Sequence, residues 1–75
     1  MENKSLSELF AINLRVAMAQ RNIKTGRLYE LSGVAKTTIM SLEYGHNKGV
    51  QFETITKLAN ALEIEPQELF KDEEK

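Results

Sequence analysis

The sequence predicts an all-α fold, a compact bundle of five helices, and two observations lead to this prediction. Apolar residues recur at steps of three and four along most of the chain, the spacing that gives an α-helix one apolar side. No segment alternates apolar and polar residues over the length that a half-buried strand needs. A chain of 75 residues has room for one domain, which we expect over 1–75, with a core at about 6–70 and a charged tail at 71–75.

The first helix is predicted at about Ser7–Gln20. Its expected inward residues are Leu6, Phe10, Leu14 and Ala17. Ser5 or Ser7 can accept a hydrogen bond from a free N–H group at the helix start, and Glu8 places a negative charge in the first turn, where the helix dipole favours it. Asn22 is expected to end the helix because asparagine favours turns.

The second helix is predicted at about Thr25–Leu31, with Leu28 and Leu31 facing the core. Ser32 and Gly33 should end it, because glycine adopts the left-handed backbone of a tight turn without steric cost.

The third helix is predicted from Lys36 to about Tyr44, with Ile39 and Leu42 on its buried side. Gly45 is well placed as its C-terminal left-handed residue, and residues 45–49 form a loop. Ala35 occupies the expected N-cap position. Its side chain cannot accept a hydrogen bond there as serine or threonine would.

The fourth helix is predicted at about Phe52–Leu62, and Glu53 suits the positive end of its dipole. The apolar residues that define it are Phe52, Ile55, Leu58, Ala59 and Leu62. Pro66 opens a fifth helix, since proline is favoured at a first helical position. We expect Pro66–Phe70 to form a turn or two that lays Leu69 and Phe70 on the core.

The charge is unevenly distributed along the chain. The net charge of −1 and the pI of about 5.8 argue at first against a nucleic-acid partner. However, residues 1–50 hold seven Lys and Arg against four Glu, a balance of +3, and residues 51–75 hold three Lys against seven Asp and Glu, a balance of −4. The first part can present a basic face while the second points away, although charges scattered over a solvated surface would have the same totals.

Several function classes lack the residues that they need. There is no cysteine and a single histidine, His46, so neither a zinc site nor a nucleophile with its base can be assembled, and we expect no enzyme activity, no metal and no cofactor. The paired carboxylates Glu73 and Glu74 lie in the predicted tail, which cannot hold them rigidly. No apolar run approaches the roughly 20 residues that span a bilayer, and the start of the chain lacks a signal-peptide layout, so a cytoplasmic protein is expected.

The most informative segment is residues 25–44, where two short helices flank a glycine turn. In a helix-turn-helix, the first of these helices braces across the DNA backbone and the second enters the major groove. The outward residues of the second helix, called here the reading face, are Lys36, Thr37, Met40 and Ser41. Lysine and hydroxyl groups can bond base edges or phosphate, and a methionine can touch a thymine methyl. The alternative is that these residues only solvate an exposed helix.

The chain resembles the phage-repressor and Cro-type (XRE) helix-turn-helix family from about Phe10 to Phe70. The residues that carry the resemblance are Leu28, Glu30, Ser32, Gly33, Val34, Thr38, Ile39, Leu42, Glu43, Gly45, Phe52, Glu53, Thr54, Lys57, Leu58, Ala59, Ala61, Leu62, Ile64, Glu68, Leu69 and Phe70. The resemblance implies a lambda-repressor-like bundle with the helix-turn-helix in helices 2 and 3. It also implies a partner, double-stranded DNA, bound by a symmetric homodimer at an inverted repeat.

The resemblance also implies a role for particular residues. Lys36, Thr37 and Ser41 fall at base-reading positions, with Met40 beside them. Thr25 falls where the family contacts phosphate, and Asn47 and Lys48 fall in the loop that grips the DNA backbone. Weaker candidates for backbone contact are Arg27, Arg15, Arg21 and Lys24.

Four positions depart from the family pattern, and Ala35 at the expected N-cap is one of them. Thr25 replaces a longer glutamine, which shortens its reach toward phosphate. Tyr29 replaces a small residue where the two helices approach, so either their crossing is wider or the assumed register is wrong by one residue. Met18 stands where an arginine often pairs with the residue matching Glu43, whose partner must then be Arg15, Arg21 or water.

Taken together, the residues and the resemblance predict a sequence-specific DNA-binding transcriptional regulator with no small-molecule ligand. Repression is the favoured direction of control, and activation stays open. The homodimer interface is expected in helices 4 and 5, around Glu63 to Phe70. Cro-like phage regulators, restriction-modification controllers and antitoxin-type autorepressors all remain open as its class. The rival interpretation is a protein-interaction module that keeps the bundle but lacks specific DNA binding.

Overall fold

Helices form where the apolar spacing predicts them. The structure is a computed structural model that describes residues 5–72, so residues 73–75 of the predicted tail, with Glu73 and Glu74, lie outside the described residues. The elements in chain order are α1 (Leu6–Gln20), α2 (Thr25–Ser32), α3 (Lys36–Glu43), α4 (Phe52–Leu62) and a 3₁₀ turn (Pro66–Phe70). Every predicted helix end lies within one residue of the observed end, and no strand occurs in the described part, which confirms the all-α prediction.

The predicted count of five helices is wrong, because the last element is a 3₁₀ turn and not an α-helix. Pro66 opens it as expected, but the segment has only five residues and its first bond runs from Glu68 N to Glu65 O, a tighter i to i+3 step, at 2.9 Å. The turn nevertheless reaches the core. Leu69 is fully buried, and the Phe70 ring packs edge-on against Phe10 with ring centroids 5.4 Å apart.

Local chemistry accounts for the helix ends. Ser5 caps α1 in a reciprocal arrangement: its hydroxyl accepts from Glu8 N at 3.1 Å, and its N–H donates to Glu8 Oε1 at 3.0 Å. Asn22, just beyond α1, has a φ of 56°, so the chain reverses there as predicted. Gly33 adopts a φ of 77° at the end of α2, and Ala35 makes no side-chain cap for α3.

One apolar core joins all five elements. Its fully buried large side chains are Phe10, Leu14, Leu28, Ile39, Leu58, Leu62 and Leu69. Asn13 of α1 fastens the C-terminal turn to this core, because its amide donates to the carbonyls of Leu69 at 3.2 Å and Lys71 at 2.8 Å. The positions of α2 and α3 are therefore fixed by their packing on α1, α4 and the C-terminal turn.

Three residues expected to face the core are exposed instead. Leu6 is 67% exposed, Leu31 is 44% exposed and Phe52 is 87% exposed. Each lies in the first or last turn of its helix, where the neighbouring helices no longer cover the apolar side. Their helical periodicity was therefore correct, but their assignment to the core was wrong.

Candidate nucleic-acid interface

The turn between α2 and α3 is held by one serine. Ser32 Oγ donates to the Leu28 carbonyl at 2.7 Å and accepts from Val34 N at 3.1 Å, so one hydroxyl joins the end of α2 to the turn. Val34 is buried at 7% exposure and anchors the turn to the core. These contacts, with the left-handed Gly33, set the angle at which α3 leaves α2.

The two sides of α3 differ sharply. Ile39 is fully buried and Leu42 is 4% exposed, so this side of the helix is fixed in the core. On the reading face, Lys36, Thr37 and Met40 are exposed and Ser41 is half-buried. The structure thus brings the four predicted base-reading residues together on the accessible side of a helix whose other side is anchored.

Glu43 has a hydrogen-bond partner that the sequence analysis did not identify. Its carboxylate is only 8% exposed and accepts a bond of 2.6 Å from Thr25 Oγ1. The expected arginine partners are wrong, because Arg15 Nε donates to the Ala11 carbonyl and Arg21 pairs with Glu63. The sequence did contain a signal for this bond. Thr25 begins α2 and Glu43 ends α3, and a helix-turn-helix brings these two ends together.

Tyr29 does not lie between the helices. Its register is the predicted one, because the neighbouring Leu28 is fully buried and the Gly33 N–H bonds the Tyr29 carbonyl at 2.8 Å. The ring is 44% exposed, and Lys36 Nζ lies 5.6 Å from its centroid. The phenol therefore lies beside the first residue of the reading face.

The loop after α3 is attached to α1. Gly45 adopts a φ of 73°, as predicted, and the Ser7 hydroxyl donates to the Asn47 carbonyl at 2.7 Å. Asn47 is half-buried, whereas the neighbouring Lys48 is exposed. Both predicted loop candidates thus lie on a braced segment, with the lysine side chain open to a ligand.

The candidates for backbone contact in and before α2 differ in accessibility. Arg27 is exposed and pairs with Glu30 at 3.1 Å on the surface of α2, a contact that a phosphate can replace. Arg21 donates to both the side chain and the carbonyl of Glu63, at 3.3 and 3.0 Å. The Thr25 hydroxyl proton is committed to Glu43, which leaves the backbone N–H at the start of α2 as the donor that this residue can offer to a phosphate.

Residues 13–75 match the family model of the Cro/C1-type HTH DNA-binding domain. The chain belongs to the Cro/C1-type helix-turn-helix family. A similar solved structure is that of the restriction-modification controller protein C.AhdI from Aeromonas hydrophila, at 35% identity and a TM-score of 0.77, over 83% of this chain and 92% of that one. Comparison with curated proteins finds no match.

Membership in the Cro/C1-type family confirms the resemblance that the sequence motifs carry and identifies a helix-turn-helix DNA-binding protein of the regulatory class. Within residues 5–72, no helix is both long and apolar enough to cross a membrane. The same residues contain no cluster of three potential metal ligands. His46 is exposed, with its ring 6.4 Å from that of Tyr44.

An apolar groove, which the sequence analysis did not foresee, opens beside the loop of this Cro/C1-type domain. It has a volume of about 270 Å³, and its apolar rim consists of Leu6, Val50, Phe52 and Phe70. Among the large hydrophobic side chains of residues 5–72, Phe52 is the most exposed, at 87%. Exposed aromatic surface of this kind is typical of a contact with another protein.

Proposed function

We propose that this chain is a sequence-specific transcriptional regulator that docks α3 in the DNA major groove. The observation that carries the proposal is the reading face: four side chains suited to base edges lie on the open side of a helix that Ile39 and Leu42 anchor in the core. A rigid support matters because a base contact discriminates only when the side chain has a defined position. Each good bidentate contact contributes about 1–3 kcal/mol of discrimination.

In this proposal, Lys36, Thr37, Met40 and Ser41 read bases, and a second group positions the domain on the backbone. The backbone group comprises Thr25, Arg27, Asn47 and Lys48. Phosphate contacts carry no sequence information directly, so losing one should weaken binding to all sequences alike. The protein would act in the cytoplasm, as a repressor that excludes the transcription machinery from its operator.

Among the three regulatory classes that the sequence left open, we favour a restriction-modification controller. C.AhdI is described as such a controller, and the match extends over 92% of its chain. The direction of control can be tested with a reporter gene. The reporter is placed behind the DNA that lies upstream of the chain's own coding sequence and holds the operator that the protein selects. Falling reporter output with rising protein supports repression, and rising output contradicts it.

We propose further that the protein binds its operator as a homodimer through α4 and the 3₁₀ turn. The half-buried Phe70 lies in the predicted interface segment, and the exposed Phe52, at the start of α4, lines the same apolar groove. Two copies would present their reading faces about 34 Å apart, on one face of the DNA. Phe52→Glu should leave a monomer in sedimentation equilibrium, with Leu31→Glu as the control at another exposed apolar site.

The decisive experiment for DNA reading is selection from randomised duplexes at physiological salt. We expect the wild-type chain to enrich an inverted repeat, and Lys36→Ala and Thr37→Ala to blur it at defined positions. Lys57→Ala is the matched control for the lysine: it is exposed on α4, five residues after Phe52 and so on another side of the helix, and should select the same sequence.

The second candidate function is a protein-interaction module, and the apolar groove favours it. Weak, salt-sensitive binding without enrichment of any sequence would support this alternative. In that case the same Phe52→Glu variant becomes the test, because a partner seated on the groove would lose affinity for it.

A further inference from the structure

Tyr29 stands apart from the other residues of the helix-turn-helix, because it is a large ring on α2 that contributes little to the core. It is 44% exposed, and its ring centroid lies 5.6 Å from Lys36 Nζ. No carboxylate of residues 5–72 lies within ion-pair distance of Lys36. Within residues 5–72, this ammonium thus lies beside an aromatic ring and in no ion pair.

The distance and the composition of this pair fit a cation–π contact, in which an ammonium lies within about 6 Å of an aromatic centroid. A free lysine samples many rotamers and loses that freedom when it binds. A ring that restricts Lys36 before DNA arrives lowers the entropy lost on docking. Because an ammonium has three N–H donors, it can face the ring and still donate to base acceptors.

We propose that Tyr29 is a positioning residue for base reading: its ring orients Lys36 toward one set of base acceptors and so sharpens discrimination at that base pair. The proposal rests on the proposed function, since it assigns a role within DNA reading. Tyr29 itself needs no contact with DNA. It acts from α2, while Lys36 at the start of α3 makes the contact.

The test is a double-mutant cycle on the duplex that the wild-type chain selects, with Tyr29→Leu, Lys36→Met and the double variant. We expect Tyr29→Leu to weaken binding three- to five-fold, about 0.6–1 kcal/mol, and to relax preference at the base pair that Lys36→Met also relaxes. In the Lys36→Met background, Tyr29→Leu should have no further effect. A cycle of Tyr29→Leu with Ser41→Ala, further along α3, is the control and should show additive effects.

Two further measurements separate orientation of Lys36 from other roles of Tyr29. In the free protein, the Lys36 methylene protons should be shifted upfield by the ring current in nuclear magnetic resonance spectra, and Tyr29→Leu should abolish the shift. Tyr29→Phe retains the ring and should bind within two-fold of the wild type. A Tyr29→Phe loss as large as that of Tyr29→Leu would assign the effect to the hydroxyl and overturn the proposal.

The remaining outcomes are also distinguishable. If the wild-type chain selects no duplex, the proposed function fails, and the role of Tyr29 fails with it. If a duplex is selected but the cycle with Lys36 is additive, only the role of Tyr29 is overturned. If Tyr29→Leu weakens binding without changing the preference at any base pair, and also lowers thermal stability, the residue has a structural role and the proposal is overturned.

Discussion

A carboxylate that is 8% exposed needs a hydrogen-bond donor, and Glu43 obtains one from the Thr25 hydroxyl at 2.6 Å. The bond joins the first residue of α2 to the last residue of α3, so it closes the helix-turn-helix at the end opposite the Gly33 turn. Met18, where an arginine would be the usual partner, is itself buried at 6% exposure. A hydroxyl thus replaces a cation as the support of this carboxylate.

Thr25→Val should destabilise the protein, because it preserves the shape of the side chain and removes the donor. An unsatisfied buried acceptor costs about 1–3 kcal/mol. In a domain of this size, each kcal/mol lowers the midpoint of thermal unfolding by about 4–8 °C. Circular dichroism melts measure the change, and Thr25→Ser, which keeps the hydroxyl, is the matched control.

The same experiment has an internal check. The double variant Thr25→Val/Glu43→Met has neither the donor nor the buried acceptor, so no polar group is left unsatisfied and most of the lost stability should return. If Thr25→Val and Thr25→Ser have the same midpoint of thermal unfolding, the hydrogen bond contributes nothing to stability.

At the level of elements, α2 contains one glycine in its first turn and ends at another, and their backbones differ. Gly33 has a φ of 77°, whereas Gly26 lies within the helix, and neither has an atom near enough to clash with an added Cβ. Substitution at either position therefore reports backbone conformation alone. This makes α2 a suitable element for separating conformational cost from packing.

Gly33→Ala should destabilise the protein by about 1–2 kcal/mol, since an alanine pays a steric cost in the left-handed region. Gly26→Ala should stabilise it by about 0.4–1 kcal/mol, since the unfolded chain loses freedom and the helix does not. Urea unfolding of both variants measures the two changes. If both substitutions change the free energy of unfolding in the same direction, this assignment of the helix end is contradicted.

The start of α3 lacks a side-chain cap, which is a weakness in the element that reads DNA. Ala35 has φ −56° and ψ 143°, an extended conformation that a capping serine also adopts. Ala35→Ser should therefore stabilise the protein by about 0.5–2 kcal/mol in the same unfolding assay. Ala35→Val is the control, because its side chain cannot accept a hydrogen bond, and a gain as large as that for serine would exclude capping as the cause.

The sequence predicted helix ends better than it predicted which apolar residues are buried. Ends depend on local chemistry, such as the Ser5 cap and Gly33, and local chemistry is readable from neighbouring residues. Burial of Leu6, Leu31 and Phe52 depends on whether another helix reaches the end turn, which periodicity does not encode. The roles of the reading face in DNA binding stay predictions, although its position on the open side of α3 is observed.

At the level of the whole molecule, three of the seven acidic residues in 51–75 form surface ion pairs within residues 5–72. The pairs are Lys57–Glu53 at 3.3 Å, Arg21–Glu63 at 3.3 Å and Lys71–Glu68 at 2.9 Å. By contrast, Lys48 lies exposed in the loop after α3, near the reading face in sequence. Because residues 1–50 have a balance of +3 and residues 51–75 a balance of −4, the net charge of −1 understates the attraction that the first part can exert on phosphate.

This charge distribution leads to a prediction about salt. If Lys48 contacts a phosphate, Lys48→Ala should weaken binding to specific and unrelated duplexes by a similar factor, because backbone contacts carry no sequence information. It should also lower the slope of log K against log salt by about one, since one fewer counterion is released. Fluorescence anisotropy between about 50 and 200 mM salt measures both quantities. The control is Lys57→Ala, which removes the same charge from α4, where Glu53 already pairs with it, and should leave the slope of log K against log salt unchanged. If Lys48→Ala and the wild type have equal slopes, the loop lies away from the DNA.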